Sequence, residues 1–539
     1  MRARWAAALL GLFAFRLCFG LASSFFGEDE TQIFLIGFRH FATGVWPYFG
    51  PDVVWTKSEI PGALQGLLIS LPLRVWPAPE APYLLLNVLS FIAIAALCWY
   101  IARRLPQVPR WLVWGWMLTL PWTLQMGTHI FNPDYVLAPA IAFFIGFFEA
   151  MPALRLGVLP RPVAFALMGA AIGSIAQIHM SYPLLAPYVA IAFVAASRRP
   201  RAALTNAAGL AIGVCATGAF LLPTWMRYGV FHGMGGTGAN LHLHIVSPFV
   251  ALSTLARFFS FASLEVNRFV ATDEAKRLTF FERRLWLVPF AVPVVVAGLV
   301  QPFWMLREWF RTSTPFAEWR MLRWLVAGTV LWVYLCYWFV MEPAQSHAFY
   351  AVAPVAMIFA AYCWTFIDSP GWRRAAAALL GINMIFQMGL ILGHADRSLY
   401  HDRAVAVAAI RAKQPEMLAH RRAFAIDAGP ATLQDPSRPY NPLRDLQIVD
   451  PVCSIGRDRV VLWTFTLRNA NPHVAFRDVL YGTTYGAGDE RHEFLRQVWQ
   501  PGEAKAIEVN DGWAGGASCG GATLRVLGAE ALLPMRATN

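Results

Sequence analysis

Charge is scarce in this chain: only 14% of its 539 residues are Asp, Glu, Lys or Arg, against about 25% in a soluble protein. A wholly soluble protein of this length, which would divide into roughly three or four domains, is excluded on that ground. Cysteine is sparse too, 7 spread over the whole length, which excludes a disulfide-dense scaffold. The chain has no Walker-type phosphate loop, no G-x-S-x-G elbow, no H-E-x-x-H and no C-x-x-C. ATP-driven pumping and zinc proteolysis therefore lose their most direct sequence support. Repeats and low-complexity tracts are absent as well. Apolar side chains are abundant, at 57% of the chain with 22 Trp and 39 Phe. That content rules out disorder and leaves a multi-pass membrane protein.

A spanning helix needs about 20 mostly apolar residues, because it rises 1.5 Å per residue through a hydrocarbon core about 30 Å thick. Eleven segments qualify: 5–26, 83–102, 111–128, 133–153, 162–178, 182–197, 203–225, 285–303, 324–341, 347–367 and 375–393. The first follows Arg2 and Arg4 like a secretory signal, but Arg16 interrupts its apolar run and no small-x-small cleavage site follows, so it reads as a retained signal anchor. A charge near the centre of a span costs at least about 3 kcal/mol unless the bundle buries it. Arg16 is therefore expected to face other helices and hold packing together.

The formal net charge is +12, and its location explains it. Arg2 and Arg4, then Arg103, Arg104 and Arg110, then Arg155 and Arg161 fall at every second connection. So do Arg198, Arg199 and Arg201, then Arg307, Arg311, Arg320 and Arg323, and finally Arg373 with Arg374. The short connections around 129–132, 179–181 and 342–346 carry no Lys or Arg. Basic residues beside spans are retained in the cytoplasm, which puts the amino terminus inside and the carboxyl terminus outside an inner (cell) membrane. The excess lies in cytoplasmic loops, so it makes no case for nucleic acid. Residues 61–77 are apolar and nearly long enough to cross, but Pro61, Pro72, Pro77 and Arg74 suit a helix lying in the outer interface.

The expected architecture is thus an α-helical membrane domain of about 11 spans over residues 1–394, with outer loops 27–82 and 226–284, and an extracytoplasmic soluble domain with β content over 395–539. In the tail, a helical stretch at 402–418 leads into alternation at Val460, Leu462, Trp463, Phe465 and Leu467, a strand pattern. Cys453 and Cys519 are the only cysteines outside the spans, and outside the cell they could pair. The other five read as apolar packing inside helices.

Polar groups cluster at the outer ends of the spans. Gly27-Glu28-Asp29-Glu30-Thr31 follows the first span, and Lys57 lies in Trp55-Thr56-Lys57-Ser58-Glu59-Ile60-Pro61. His129 with Asn132-Pro133-Asp134 marks the second outer connection, and Gln177, His179 and Ser181 the third. Glu342-Pro343-Ala344-Gln345-Ser346-His347 marks the fifth. Taken singly, each is read as a helix cap, a solvated turn or a snorkelling group. Their shared side is what points to a site.

The order of an acidic pair after the first span, a Lys-x-x-x-Pro stretch, an interfacial amphipathic segment and an Asp opening a later span resembles the polyprenyl-phosphate-sugar-dependent integral membrane glycosyltransferases. This GT-C class includes protein O-mannosyltransferases and lipid A aminoarabinose transferases. Asp29-Glu30-Thr31 matches the acidic motif of that family's first outer loop and Asp134 its second-loop aspartate. Ser346-His347-Ala348-Phe349-Tyr350, with Pro354 after it, resembles the His/Tyr-rich start of a late span. The likeness covers about residues 1–395. Relatives commonly place Pro directly after the lysine, whereas Ser58, Glu59 and Ile60 intervene here.

The resemblance implies transfer of a sugar from a polyprenyl-phosphate donor to an extracytoplasmic lipid, glycan or protein acceptor, at a membrane-lipid boundary. A hydroxyl acceptor is too weak an acid to attack unaided, and a positioned carboxylate that takes its proton contributes about 100-fold to 10,000-fold. Asp29 is the expected base, with Glu30 second. The departing phosphate needs a cation at the low-dielectric membrane edge. Lys57 is expected there, with His347 or an arginine of 226–284 assisting. Asp134, His129, His179 and Tyr350 complete the expected substrate-binding set.

No cofactor is expected, and no ligand set indicates a divalent metal. His232, His242 and His244 near Gly233, Gly235, Gly236 and Gly238 suit a mobile closing loop better than a zinc site, since no acid or cysteine completes the set. The alternative function is a lipid-linked glycan transporter or flippase, which would need ionisable groups near the bilayer midplane. Arg16 and Glu149 are the only candidates inside spans, and Glu149 is near a cytoplasmic end. A third reading makes the bundle an anchor for a working tail.

Overall fold

The computed structural model describes residues 2–23, 28–53, 58–131, 133–230, 243, 245–261, 263–266, 270, 274–339, 346–367, 369–394, 403–413, 441–456, 460–485, 489–513 and 518–532. They form two compact units, one helical and reaching to Met417, the other drawn mainly from Leu418–Asn539.

In the helical unit, six helices are long and apolar enough to cross a membrane: Ala3–Ser23, Glu80–Arg104, Pro200–Tyr228, Leu285–Trp309, Trp319–Phe339 and Pro370–His394. The other five expected spans are helical but shorter or broken. The unit opens with α1 (Arg2–Ser23), α2 (Glu28–Thr43), α3 (Leu64–Val75) and α4 (Glu80–Arg104). With only 12 residues, α3 is about 18 Å long, too short to cross a bilayer. The segment 111–128 divides into α5 (Arg110–Thr119) and α6 (Pro121–Thr128), because proline has no N–H to continue the ladder and its ring clashes with the preceding turn.

The break frees backbone carbonyls in an apolar interior, and Arg16 takes them. Its guanidinium is fully buried and donates to the carbonyls of Leu118 and Thr123, both at 2.8 Å, to Ser90 Oγ at 3.0 Å and to Gly127 O at 3.4 Å. The packing role expected of Arg16 is met by these bonds.

Farther along lie α7 (Leu137–Ala150), α8 (Arg161–Ile175), α9 (Ala186–Ala196) and α10 (Pro200–Gly218). Helices α8 and α10 touch backbone to backbone through two G-x-x-x-G pairs, Gly169 with Gly173 and Gly209 with Gly213. A Cβ on Gly169 would lie 2.1 Å from the Leu210 carbonyl oxygen, and one on Gly213 would lie 2.0 Å from that of Ala166. Hydrocarbon offers no hydrophobic drive between helices, so close approach through small residues supplies the contact.

Polar contacts divide the connections between helices into two sets, the same division that the arginine positions draw. At one end, Arg104 donates to Tyr100 Oη at 2.8 Å, Tyr362 Oη at 3.3 Å and the Leu154 carbonyl, and it pairs with Glu318 at 3.7 Å. Glu149 accepts the Tyr100 hydroxyl at 2.7 Å and the N–H groups of Leu156, Gly157 and Val158 at 2.9 Å. Three arginine-bearing connections meet there. The connections that follow α1 and α6 meet elsewhere, around the acidic residues described below.

The second unit holds two three-stranded antiparallel sheets. Numbering strands from the two-stranded pair β1 (Phe49–Val53) and β2 (Ser58–Pro61) between α2 and α3, they are β3 (Leu446–Ile455), β4 (Val460–Asn469) and β7 (Ala504–Trp513), and β6 (Asp489–Trp499), β5 (Ala475–Tyr485) and β8 (Thr523–Leu532). One core joins them, with Trp463, Phe465 and Leu467 of β4 against Phe476, Tyr481 and Trp499. The inward face of β4 begins at Val461 rather than Val460. Leu462 therefore falls on the other face, since strand side chains alternate. Cys453 and Cys519 are paired, with Cα atoms 5.5 Å apart. Of the remaining five cysteines, Cys98 and Cys363 are buried, whereas Cys18 and Cys215 are exposed on helix surfaces, so packing accounts for only part of the set.

Candidate functional site

Two connections, those that follow α1 and α6, converge around buried carboxylates. Helix α2 begins at Glu28 and turns Glu30 inward, where it is buried and accepts the Tyr83 hydroxyl at 2.9 Å on Oε1. Tyr83 lies in the first turn of α4, so this bond joins the exit of the first span to the entry of the second. Asp134 is also buried and starts the 3₁₀ turn Asp134–Val136. Val136, not Asp134, stands at the cap position of α7. The Tyr135 hydroxyl lies within electrostatic reach of both Asp134 and Glu30, and that of Tyr350 within reach of Asp134 and Arg16. Two acids 104 positions apart in sequence thus share one neighbourhood.

His129 stands at the end of α6, against the end of α1. Its Nδ1 faces the Gln125 carbonyl at 3.0 Å and its Nε2 lies 3.0 Å from Ser23 Oγ, whose own proton goes to the Phe19 carbonyl. Burial pushes the imidazole pKa down to about 4, more than these bonds raise it, so the ring is neutral at physiological pH. Tyr350 is buried and donates to the Trp122 carbonyl at 3.1 Å. Trp122 packs edge-on against both Phe349 and Tyr350. The start of the late span is thereby tied to α6.

Residues 62, 177–181, 224–227 and 346 make a second set of contacts. Gly62, at φ 108°, lies so close to Gln177 that a Cβ would stand 2.6 Å from its Cγ; only glycine suits both that angle and that gap. Beside Gln177, His179 accepts the Ser181 N–H on Nδ1 at 3.2 Å. Thr224 donates to the Tyr48 carbonyl at 2.7 Å, and Arg227 lies over the Tyr48 ring at 4.9 Å. Ser346 donates to Glu265, which pairs with Arg257 at 3.2 Å. An arginine of 226–284 therefore stands at the residue preceding His347.

Of the residues expected from sequence, Glu30 and Asp134 lie within electrostatic reach of one tyrosine, Tyr135, and Tyr350 within reach of Asp134, whereas His129 bonds to Ser23 and Gln125. His179 instead associates with the end of β2, near Gly62 and Gln177. Asp29 and His347 are described in backbone only, within α2 and the 3₁₀ segment Ser346–Val352. Lys57 lies outside the described residues, as do His232, His242, His244 and the glycines 233, 235, 236 and 238. Tyr83, Tyr135 and Trp122 were not expected from sequence. They belong to no motif, and a lone aromatic in an apolar run carries no period that would mark it.

No protein-family model matches this chain, and no curated protein matches it. Solved structures similar to it include two of one protein. One is the crystal structure of ArnT from Cupriavidus metallidurans bound to undecaprenyl phosphate, with a TM-score of 0.48 and 11% sequence identity over 77% of this chain and 79% of that one. The other is the same protein in the apo state, with a TM-score of 0.46 and 12% identity over 76% and 77%.

Proposed function

We propose that this chain is an integral membrane glycosyltransferase that moves a sugar from a polyprenyl-phosphate donor to an extracytoplasmic lipid, glycan or protein acceptor. The single observation that carries the reading is the meeting of Glu30 and Asp134, from distant connections, around Tyr83 and Tyr135 at the end of the unit remote from the arginine network. Asp29, one residue before Glu30 on the same first turn of α2, takes the proton of the acceptor hydroxyl as its oxygen attacks the anomeric carbon. The bond from that carbon to the phosphate oxygen breaks, and the electron pair leaves with the phosphate. A phosphate monoester has a second pKa of about 6 and departs without a general acid. Lys57 meets its charge, with Arg257 beside Ser346 assisting. Glu30 is held by Tyr83 as the second carboxylate, and Asp134 orients the acceptor. One displacement of this kind inverts the anomeric centre.

A transporter would instead need ionisable groups exposed along a path through the bilayer. Arg16 is engaged by four hydrogen bonds and Glu149 by the loop that follows it, which favours structural roles for both. The test incubates the purified full chain with radiolabelled polyprenyl-phosphate sugars and envelope extract. Label moving to an acceptor with release of polyprenyl phosphate supports the transferase. Absence of transfer from every lipid-linked donor, together with donor movement across vesicle membranes, points to the flippase.

A further inference from the structure

At the far end of α2 from Glu30 the helical unit contains a cavity of about 690 Å³. Phe41, eleven residues beyond Glu30 on α2, is part of its wall, which places it roughly 16 Å along the helix from the acidic cluster at 1.5 Å per residue. Three cations line it, Arg74 from α3 and Arg411 and Lys413 from the helix Arg403–Ala412 and its end. Leu73, Pro77 and Ile410 supply apolar walls, and among the described residues no acidic one is in the lining.

Each cation is held in place. Arg74 donates to His40 Nε2 at 3.1 Å, and His40 in turn donates from Nδ1 to the Val45 carbonyl at 2.9 Å. Lys413 has a left-handed backbone, φ 52°, at the helix end, and its ammonium lies 5.6 Å from the Phe41 ring centroid. Arg403 pairs with Glu80, anchoring the helix that carries Arg411 to the start of α4. Among the described residues none of the three cations has a carboxylate within 4.0 Å. Three like charges around one cavity repel one another until an anion joins them.

The rim identifies the kind of anion. Leu71, Val75 and Trp76 of α3 and its end are exposed, Val75 at 88%. A short helix that exposes Leu, Val and Trp beside an arginine belongs at the boundary between headgroups and acyl chains. We propose that this cavity binds the phosphate headgroup of an anionic phospholipid, with Arg74, Arg411 and Lys413 contacting the phosphate and the acyl chains leaving over Leu71, Val75 and Trp76. The volume falls in the range of about 300 to 1,000 Å³ typical of small-ligand sites. The site is separate from the acidic cluster and does not depend on the transferase reading.

The test uses the full chain in phosphatidylcholine micelles titrated with dioleoyl phosphatidylglycerol, counting retained lipid by native mass spectrometry. The variant Arg74→Gln/Arg411→Gln/Lys413→Gln should retain about tenfold less phosphatidylglycerol, since charge-assisted contacts to a phosphate are lost. The variant Arg198→Gln/Arg199→Gln/Arg201→Gln removes the same formal charge elsewhere and should match wild type. Lys413→Gln alone, an exposed single change that leaves the fold intact, should give a loss of about threefold. Equal retention by wild type and both cavity variants, or an equal loss in the control, overturns the proposal. Displacement of the lipid by about 10 mM inorganic phosphate would also overturn it, because simple electrostatic binding of a free anion lacks the chain contribution.

Discussion

The Tyr83 hydroxyl donates to Glu30 Oε1 at 2.9 Å, tying α2 to α4 at the point where the first two expected spans face each other. A buried carboxylate that loses a hydrogen bond is costly, by about 1.5 to 3 kcal/mol. Tyr83→Phe is therefore expected to lower kcat about tenfold while the donor KM stays within about twofold, because Tyr83 positions Glu30 rather than touching substrate. Steady-state transfer kinetics check this. A rise in KM at unchanged kcat would place Tyr83 in ground-state binding instead.

The contact between α8 and α10 depends on glycines. Gly213→Val would force a side chain into the space 2.0 Å from the Ala166 carbonyl oxygen, so the helices must separate, at an expected cost of about 2 kcal/mol or more. Gly218, in the same helix, has nothing within 4 Å. Gly218→Ala should therefore be neutral or stabilising by up to about 1 kcal/mol from helix propensity. Thermal unfolding in detergent distinguishes the two, and equal midpoints would remove the role assigned to close packing.

His129 makes stability depend on pH. Its folded pKa is held down to about 4 by burial, below the unfolded value of about 6.5. Between these values the unfolded chain binds the extra proton. The contribution is therefore full above about pH 6.5 and is lost as pH falls toward 4, with a ceiling of roughly 3 kcal/mol. The thermal midpoint of wild type should drop over that window, and His129→Gln should flatten the drop. A variant with an unchanged profile would assign the effect to other groups.

The bond between Cys453 and Cys519 closes a loop with a sequence separation of 66. By loop-closure entropy it stabilises the β unit by about 4 kcal/mol. Reduction, or Cys453→Ser/Cys519→Ser, should lower the unfolding midpoint of the β unit in the full chain without shifting that of the helical unit. Calorimetry resolves the two transitions, and a fall in both would show that the units unfold together.

Much of the helical unit was legible because long apolar runs report helices buried in an apolar surrounding. The network of Arg104, Glu149, Glu318 and Tyr362 gathers the connections that the arginines had grouped. The break at Pro121 was visible as a proline but was read through, since apolar content alone does not report hydrogen bonding. The spacing of Gly169 with Gly173 and of Gly209 with Gly213 was present in the sequence and went unread. In the β unit the alternation indicates a strand, and consecutive apolar residues at 460–463 obscure which face turns inward. At the site, Glu30 and Asp134 were legible as acids beside spans. Tyr83 and Tyr135 were not, because only tertiary packing brings a single tyrosine against a carboxylate from another connection.

The central claim is that the first turn of α2 supplies the base for sugar transfer at the acidic end of the helical unit. Its most direct test compares purified wild type with Asp29→Asn in a single-turnover assay with a radiolabelled polyprenyl-phosphate sugar, after equal donor binding has been verified. The account predicts that transfer by the variant falls to about 1% of wild type or less. Transfer at the wild-type rate would contradict it.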